Sequence, residues 1–147
     1  MSYQGLRDYL KTKLEAISSV GTVHDYYRFL KGKNNIQAAL YEGGKLNAWF
    51  IRKVGEINQW EGPGSRLAIH TINLTGIMAV NDAIASEKIF LGIASDITDA
   101  LTADFNYGGL CFQTKAPILK KHELKSFANI LCHYATIELR LTERVNV

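Results

Sequence analysis

A strand that leads directly into a helix constrains the fold of this chain more than any other sequence feature. Residues 67–75 are rich in β-branched side chains, which favour a strand, and Gly76 predicts a bend or bulge near its end. Asn81 is then a candidate N-cap for a helix that continues to about residue 104. Its apolar residues repeat every four positions, at Ile89, Ile93, Ile97 and Leu101. This spacing predicts that one helix face is buried.

A second amphipathic helix is predicted near the N-terminus, over residues 4–19. Its apolar stripe has helical spacing and consists of Tyr3, Leu6, Leu10, Leu14 and Ile17. Gly21 is a natural stop for this helix, and residues 23–29 form a candidate strand with aromatic residues on both faces. One or two helical turns are predicted over residues 36–41.

The middle of the chain contains a predicted strand at residues 46–54, followed by a predicted long hairpin loop at residues 55–65. This loop carries two large apolar residues, Ile57 and Trp60. Trp60 either folds back onto its own domain or is buried at a protein interface, and the sequence leaves both readings open.

The last third of the chain is predicted to be mainly strand. A turn at residues 105–109 precedes a short strand at 110–114, and Pro117 predicts an edge strand or a connection. A long strand is predicted over residues 127–144. From Ala135 onward it alternates, so that Ala135, Ile137, Leu139 and Leu141 face inward and Thr136, Glu138, Arg140 and Thr142 face outward.

These elements predict one α+β domain spanning residues 1–147. We expect a mainly antiparallel sheet with two principal helices packed on one face. The other face carries apolar candidates, namely Tyr26, Phe50, Cys132 and Tyr134. That face needs a further cover, and oligomerisation would provide one.

Composition narrows the class of protein. The 147 residues are 47% hydrophobic and carry a net charge of +3, which is typical of one globular domain and too small to identify a nucleic-acid-binding protein. A local cluster of lysines at 115, 120, 121 and 125 is interpreted as a solvated loop face, with a phosphate-binding surface as the minor alternative. With no signal peptide and no apolar run of about 18 residues, we expect a cytoplasmic protein without a membrane span.

Known catalytic motifs are missing from the sequence, including the dinucleotide-binding, P-loop, nucleophile-elbow and zincin patterns. The four histidines, His24, His70, His122 and His133, could converge on a metal, but their spacing does not support this. A cysteine nucleophile assembled from Cys132, His133, His24 and Asp25 has no support from spacing either. We therefore predict no catalytic, cofactor-binding or metal-binding residue, and two buried free thiols, Cys111 and Cys132.

Several segments, taken in order, resemble the tail terminator proteins of tailed bacteriophages, including those encoded by prophages. The N-terminal helix ending at Gly21 is followed by Val23-His24-Asp25-Tyr26, and then by a strand containing Trp49-Phe50-Ile51-Arg52. The segments that complete the resemblance are the His70-bearing strand, Asn81-Asp82-Ala83, Ser86-Glu87-Lys88-Ile89-Phe90 and Leu131-Cys132-His133-Tyr134-Ala135. The resemblance spans nearly the whole chain, although each motif is short and structural.

The resemblance implies a non-enzymatic virion protein that forms a hexameric ring, caps the tail tube, ends its polymerisation and provides the surface for head attachment. Its implied partners are further copies of itself, the tail tube protein and the neck or head-tail connector proteins, while the genome passes through without specific binding. The protein would be found in the host cytoplasm during assembly and then at the head-proximal end of the tail. Candidate interface residues are Trp60, Ile57, Tyr26, Phe50, Tyr134 and Pro117. Alternatives are another neck or minor tail protein, or a small ligand-binding domain or enzyme.

Overall fold

The computed structural model of the protein describes residues 3–17, 20–24, 41–42, 45–81, 85–104, 106–109, 111–113, 115–127 and 130–146. The elements in chain order are α1 Tyr3–Glu15, β1 Thr22–His24, β2 Tyr41–Glu42, β3 Lys45–Gly62, β4 Ser65–Ala79, α2 Ser86–Ala103, a 3-10 turn Tyr107–Gly109, β5 Phe112–Gln113, β6 Ile118–Leu119, β7 Glu123–Phe127 and β8 Ile130–Asn146. The protein is therefore α+β and mostly sheet, as predicted.

Three long antiparallel strands, β3, β4 and β8, form the middle of the sheet. β1 pairs in parallel with the start of β3, while β5, β6 and β7 all pair with β8 on the side away from β4. Paired residues of adjacent strands share a face. Trp49, Gly76 and Ala135 therefore form one row across the sheet.

Both helices pack on the same side of the sheet, which we call the helix face. From α1 the core contains Leu6, Leu10 and Leu14, and from α2 it contains Phe90, Ile93, Ala94, Ile97 and Leu101. They meet the inward residues of β3, β4 and β8, including Trp49, Ile51, Ile72, Leu74, Ile137 and Leu139. Asp104, just beyond α2, accepts a 2.6 Å hydrogen bond from the Tyr9 hydroxyl and pairs with Lys13 at 2.9 Å, which joins the two helices.

Among the described helices, α2 is the longest, and no helix is long and apolar enough to cross a bilayer.

The N-terminal helix is shorter than predicted. α1 ends at Glu15 rather than near residue 19, and Gly21 is not its stop. Gly21 instead lies against the backbone carbonyl of Asn47, where a Cβ atom would overlap that oxygen. The glycine is thus explained by the close approach of the chain to β3.

The bend predicted at Gly76 is also wrong, because β4 pairs with β3 and β8 without a shift of register at that position. The register shifts lie in β3, between Lys53 and Gly55 and between Trp60 and Gly62. Gly76 lies beneath the Trp49 indole, so the glycine provides space for a large side chain.

The predicted N-cap of the central helix is wrong as well. α2 begins at Ser86, and the capping position is Ala85, which has left-handed backbone angles (φ 53°, ψ 53°) and makes no side-chain cap. Asn81 takes part through its backbone: its carbonyl accepts the Ser86 N–H at 3.1 Å, and its N–H donates to Ser86 Oγ at 2.7 Å. Ser86 thus links the first turn of α2 to the segment that follows β4, but its hydroxyl does not cap a helix N–H.

The long C-terminal strand begins later than predicted, because Phe127 belongs to β7 and β8 starts at Ile130. The alternation from Ala135 to Leu141 is confirmed, since the four predicted inward residues are buried. Thr142 is the exception: predicted to face outward, it is buried where β5 pairs with β8 through Phe112.

Some predictions lie outside the described residues, including the part of the first strand after His24, most of the segment 36–41, and Tyr26. Tyr41, predicted to end a helical turn, is instead in strand β2.

Candidate protein interface

The region predicted as a long loop is a two-stranded extension of the sheet. β3 continues to Gly62 and β4 begins at Ser65, so the hairpin has only two turn residues, Pro63 and Gly64. We call its outer part, residues 54–67, the ribbon. Residues 56–64 are all exposed, and none of the ribbon belongs to the hydrophobic core. The ribbon therefore reaches beyond the part of the sheet that the helices cover.

The two residues of the turn suit their positions. Proline sets φ for the first central residue of a tight turn, and the second needs positive φ in a type II turn. Gly64 has φ 78°, which glycine adopts without steric cost. The Pro63-Gly64 pair thus allows the two strands to continue pairing until the turn itself.

Large apolar side chains are exposed on the ribbon. Trp60 is 77% exposed and Ile57 56%, and Val54, at the first register shift, is also exposed. Ile57 pairs with Ile69 and Trp60 with Arg66, so these two side chains lie on opposite faces of the ribbon. Val54, Ile57 and Trp60 are therefore separate exposed apolar residues of the ribbon rather than one continuous patch. Exposed aromatic side chains such as Trp60 are enriched at protein interfaces.

An ion pair fixes the turn to β8. The Arg144 guanidinium donates to both carboxylate oxygens of Glu61, at 2.8 and 2.9 Å, and Ser65 donates to the same carboxylate at 3.1 Å. The hydrogen bonds from Arg144 hold the pKa of Glu61 below its usual range. A bidentate pair of this kind sets direction as well as distance. It therefore orients the strand that carries Trp60.

A polar crevice of about 250 Å³ lies where the ribbon leaves the helix face. Its lining consists of Lys53, Glu56, Arg66, Ala68, His70, Glu143 and Val145. At its base the buried His70 Nε2 lies 3.0 Å from Glu143 Oε2, and its Nδ1 lies 3.2 Å from Glu56 Oε1. The imidazole is thus placed between two carboxylates that come from different strands.

Glu56 is the most strongly perturbed group in this crevice. Lys53 donates to it at 2.6 Å and Asn58 at 2.8 Å, and these hydrogen bonds lower the pKa of Glu56 to about 2. Arg66 in turn donates to Asn58 at 2.5 Å. The charged groups of the crevice are therefore paired with one another, and its small volume favours a structural role over binding of a metabolite.

A second polar cluster lies at the start of α2. Ser86 Oγ is 2.8 Å from His133 Nε2, and His133 Nδ1 is 2.9 Å from His122 Nε2. The order of hydroxyl, imidazole and second imidazole resembles the arrangement that activates a serine nucleophile. Ser86, however, is only 1% exposed and already accepts the Asn81 N–H. A substrate cannot reach this hydroxyl, so the cluster holds β8 to the helix.

The surroundings of Cys132 do not favour the cysteine nucleophile considered from the sequence. Burial raises the pKa of the Cys132 thiol to about 11, which keeps it protonated. His24 stacks on Phe50 with ring centroids 5.4 Å apart, and Asp25 lies outside the described residues. Cys111 and Cys132 are both free and buried, as predicted. Within the described ranges, no three His, Cys, Asp or Glu side chains are grouped so that they could hold a metal.

Phe50, Tyr134 and Pro117 were also predicted to lie at an interface, and Cys132 on the apolar sheet face, but these residues are less exposed than Trp60. Phe50 is 2% exposed and Cys132 is fully buried within the single chain, so burying them does not require a second subunit. Tyr134 is half-buried, with Lys125 Nζ 4.0 Å from its ring centroid. Pro117 is half-buried in the connection between β5 and β6, where a connection was predicted.

Comparison with known proteins does not identify a relative: no protein-family model matches the sequence, and no curated protein matches it either.

Proposed function

We propose that this protein is a tail terminator of a tailed bacteriophage. In this proposal identical chains form a ring, of six subunits by the resemblance, on the end of the tail tube. The ring stops tube polymerisation and offers the head its attachment surface. The order of short sequence segments described above supports the family assignment, and a tail-terminator-like fold is part of the proposal.

The observation that carries the proposal is the ribbon, because it holds a tryptophan 77% exposed beyond the core. Aromatic residues that become buried on binding contribute a large share of the energy of protein interfaces. The ion pair of Glu61 with Arg144 also links the end of the ribbon to β8. A projecting ribbon with an exposed aromatic side chain suits a protein whose work is contact with other subunits.

A structural role agrees with the chemistry of the buried polar groups. The hydroxyl of Ser86 is inaccessible, and burial keeps the thiols of Cys111 and Cys132 protonated. The proposal therefore assigns no catalytic, cofactor or metal residue.

The proposed partners are other copies of this chain, the tail tube protein, and the neck or connector proteins of the head. DNA passes through the ring without specific binding, which suits a net charge of only +3. The protein would act in the host cytoplasm during assembly and remain in the virion tail.

The proposal is tested by adding the purified protein to tubes grown from the tail tube protein of the same genome. We expect electron microscopy to show a ring at one end of each tube, and tube growth to stop when the ring is present. Tubes that keep growing, with none of the protein at their ends, would refute the proposal.

Trp60→Ala and Gln59→Ala form a matched pair for this assay, since both positions are exposed neighbours on the ribbon. We expect only Trp60→Ala to weaken capping, by about tenfold or more. Capping that the tryptophan variant retains in full would show that the ribbon is not the contact. Binding to isolated head connectors without binding to tubes would favour the alternative of a neck protein.

A further inference from the structure

His70 lies at the point where the ribbon joins the rest of the sheet. Its side chain is 4% exposed and comes from β4, between two strands that each place a carboxylate against the ring. Nδ1 lies 3.2 Å from Glu56 Oε1 on β3, and Nε2 lies 3.0 Å from Glu143 Oε2 on β8. One imidazole therefore contacts both neighbouring strands at the base of the ribbon.

The strand pairing of β3 is irregular at the same place. Its register with β4 shifts between Lys53 and Gly55, which leaves Val54 as an extra residue in β3. An extra residue on one strand interrupts the ladder locally and bends that strand. Glu56 pairs with His70 directly after this shift. The contact between their side chains thus holds the ribbon just beyond a local break in the ladder.

The two contacts of His70 require more protons than a neutral ring carries. A neutral imidazole has one N–H and one bare nitrogen, while an ionised carboxylate can only accept. Such a ring donates to Glu143 or to Glu56, and its bare nitrogen then faces the oxygen of the other carboxylate. Both contacts are attractive only when this cluster of three side chains holds a second proton. Because the three groups interact, that proton belongs to the cluster rather than to one residue.

Loss of the second proton should open the contact with Glu56 rather than the contact with Glu143. The side chain of Glu143 is 8% exposed, whereas that of Glu56 is 31% exposed. Lys53 and Asn58 also donate to Glu56, and these hydrogen bonds lower its pKa to about 2, so this carboxylate stays charged. Glu56 therefore keeps partners and solvent when it leaves His70, which a buried carboxylate would not.

The other charged groups around His70 come from three parts of the chain. Among the described residues that line the crevice, these are Lys53 on β3 and Arg66 on β4, which are both cations. Cys111, before β5, interacts electrostatically with Glu143, but burial raises the pKa of this thiol to about 12 and keeps it neutral. His70 and its two carboxylates are thus the groups of this crevice that can exchange a proton near neutral pH.

Hydrogen bonds extend from Glu56 along one face of the ribbon towards Trp60. Asn58 donates to Glu56 at 2.8 Å, and Arg66 donates to Asn58 at 2.5 Å. Arg66 in turn pairs with Trp60 across β3 and β4. A change at Glu56 is therefore connected to the surroundings of Trp60 through two hydrogen bonds and one cross-strand pair.

We infer that protonation of the cluster formed by His70, Glu56 and Glu143 controls how firmly the ribbon is held to the sheet. With the second proton bound, His70 joins β3, β4 and β8. As the pH rises through the titration of the cluster, the contact with Glu56 is lost, and the ribbon then depends on its strand pairing and on Glu61 with Arg144. His70 is a positioning residue in this switch, of the kind that histidine provides near neutral pH. A partner that binds through Trp60 would meet a differently held ribbon at low and at high pH.

Nuclear magnetic resonance of the isolated protein tests the inference. Long-range proton–nitrogen spectra of the His70 ring report its protonation, and the Trp60 indole N–H and the amides of residues 56–60 report on the ribbon. Both sets are followed between about pH 5 and about pH 8, where histidine changes its charge. We expect the ribbon signals to shift with the same midpoint as the His70 ring.

Glu56→Gln is the most informative variant, because it removes a charge from a partly exposed side chain and keeps its shape. We expect His70 still to titrate beside Glu143, while the pH-dependent shift of the ribbon signals is lost. His70→Gln should abolish the same shift, with circular dichroism to check that it folds. His24→Gln is the matched control, since His24 stacks on Phe50, on the sheet face opposite to the helix face, and its replacement should leave the shift intact.

Three results would overturn the inference: ribbon signals that stay constant while His70 titrates, a His70 ring that keeps one protonation state throughout this range, or a ribbon shift that Glu56→Gln retains in full. None of these measurements uses tail tubes. Their failure would therefore leave the proposed function standing, and a failure of tube capping would leave the proton-dependent contact standing.

Discussion

The indole of Trp49 occupies the space that any side chain at Gly76 would need. The two residues pair across β3 and β4, and a Cβ atom placed on Gly76 overlaps three atoms of the indole ring. Trp49 has no exposed surface and stacks on Phe90, with ring centroids 5.8 Å apart. The ring is thus held from both sides and cannot move away easily.

Gly76→Ala should therefore destabilise the protein, by about 1–3 kcal/mol, as is usual for an overpacked core. Urea denaturation followed by tryptophan fluorescence measures this change. Gly92→Ala is the matched control, because Gly92 is exposed on α2 and nothing lies within 4 Å of a Cβ placed there. Alanine favours a helix over glycine, so the control should gain about 0.5–1 kcal/mol. Equal effects at the two positions would contradict the packing argument.

The ion pair between Glu61 and Arg144 should be visible as a shifted titration. Because hydrogen bonds from Arg144 lower the pKa of Glu61, the charged carboxylate is favoured in the folded protein. Its contribution to stability is therefore present above the unfolded value of 4.5 and is lost as the pH falls through the folded value. Carboxyl NMR should show a midpoint below 4.5 that returns towards it in Arg144→Gln. If the Glu61 midpoint is the same in Arg144→Gln as in the wild type, Arg144 is not what lowers the pKa of Glu61.

Ser86→Ala should destabilise the fold by about 1–3 kcal/mol, because it leaves the buried His133 and the Asn81 N–H without the hydroxyl. Ser126→Ala, at an exposed position of β7, should change stability by less than about 0.5 kcal/mol. Thermal unfolding of the two variants checks this difference.

Reaction with a fluorophosphonate probe tests whether Ser86 acts as a nucleophile. The folded protein should not react, since Ser86 is buried. Covalent labelling of Ser86 in the folded wild type would instead identify the cluster as an active site.

The two thiols should react only when the protein unfolds. Burial raises the pKa of Cys111 to about 12 and that of Cys132 to about 11, so little thiolate is present near neutral pH. At about pH 8 a disulfide reagent should modify both thiols at least about 100-fold faster in denaturant than in buffer. One fast-reacting thiol in the native protein would contradict the burial of that side chain.

Local patterns predicted the buried faces of the long elements in large part, but Ile89, predicted to lie on the buried stripe of α2, is 40% exposed, and Phe90 is buried in its place. The two-residue period from Ala135 to Leu141 predicted which side of β8 is buried, because that strand has one face against the helices. The ribbon was not predicted, because Gly55, Gly62, Pro63 and Gly64 suggest a loop when each is considered alone. Pairing with β4 overrides these propensities, and pairing depends on tertiary structure.

Within the candidate interface, the residue type alone was enough to predict a role for Trp60, because a tryptophan in a predicted loop is unusual. The contact between His70 and Glu143 joins residues 73 positions apart, and only the register of β4 with β8 brings them together. That register follows from pairing along the whole length of both strands, so no local signal could have identified the contact.

The position of β8 in the sheet has a consequence for the synthesis of the protein. β8 pairs with β4 on one side and with β5, β6 and β7 on the other, and it is the last strand described. While the ribosome is still translating residues 130–146, β4 lacks its neighbour and the helices lack much of the surface on which they pack. Sheets that depend on pairing between distant segments also form slowly. Chains in which β8 has not yet paired should therefore remain substrates for chaperones and proteases, and only subunits with β8 in place should become competent for assembly.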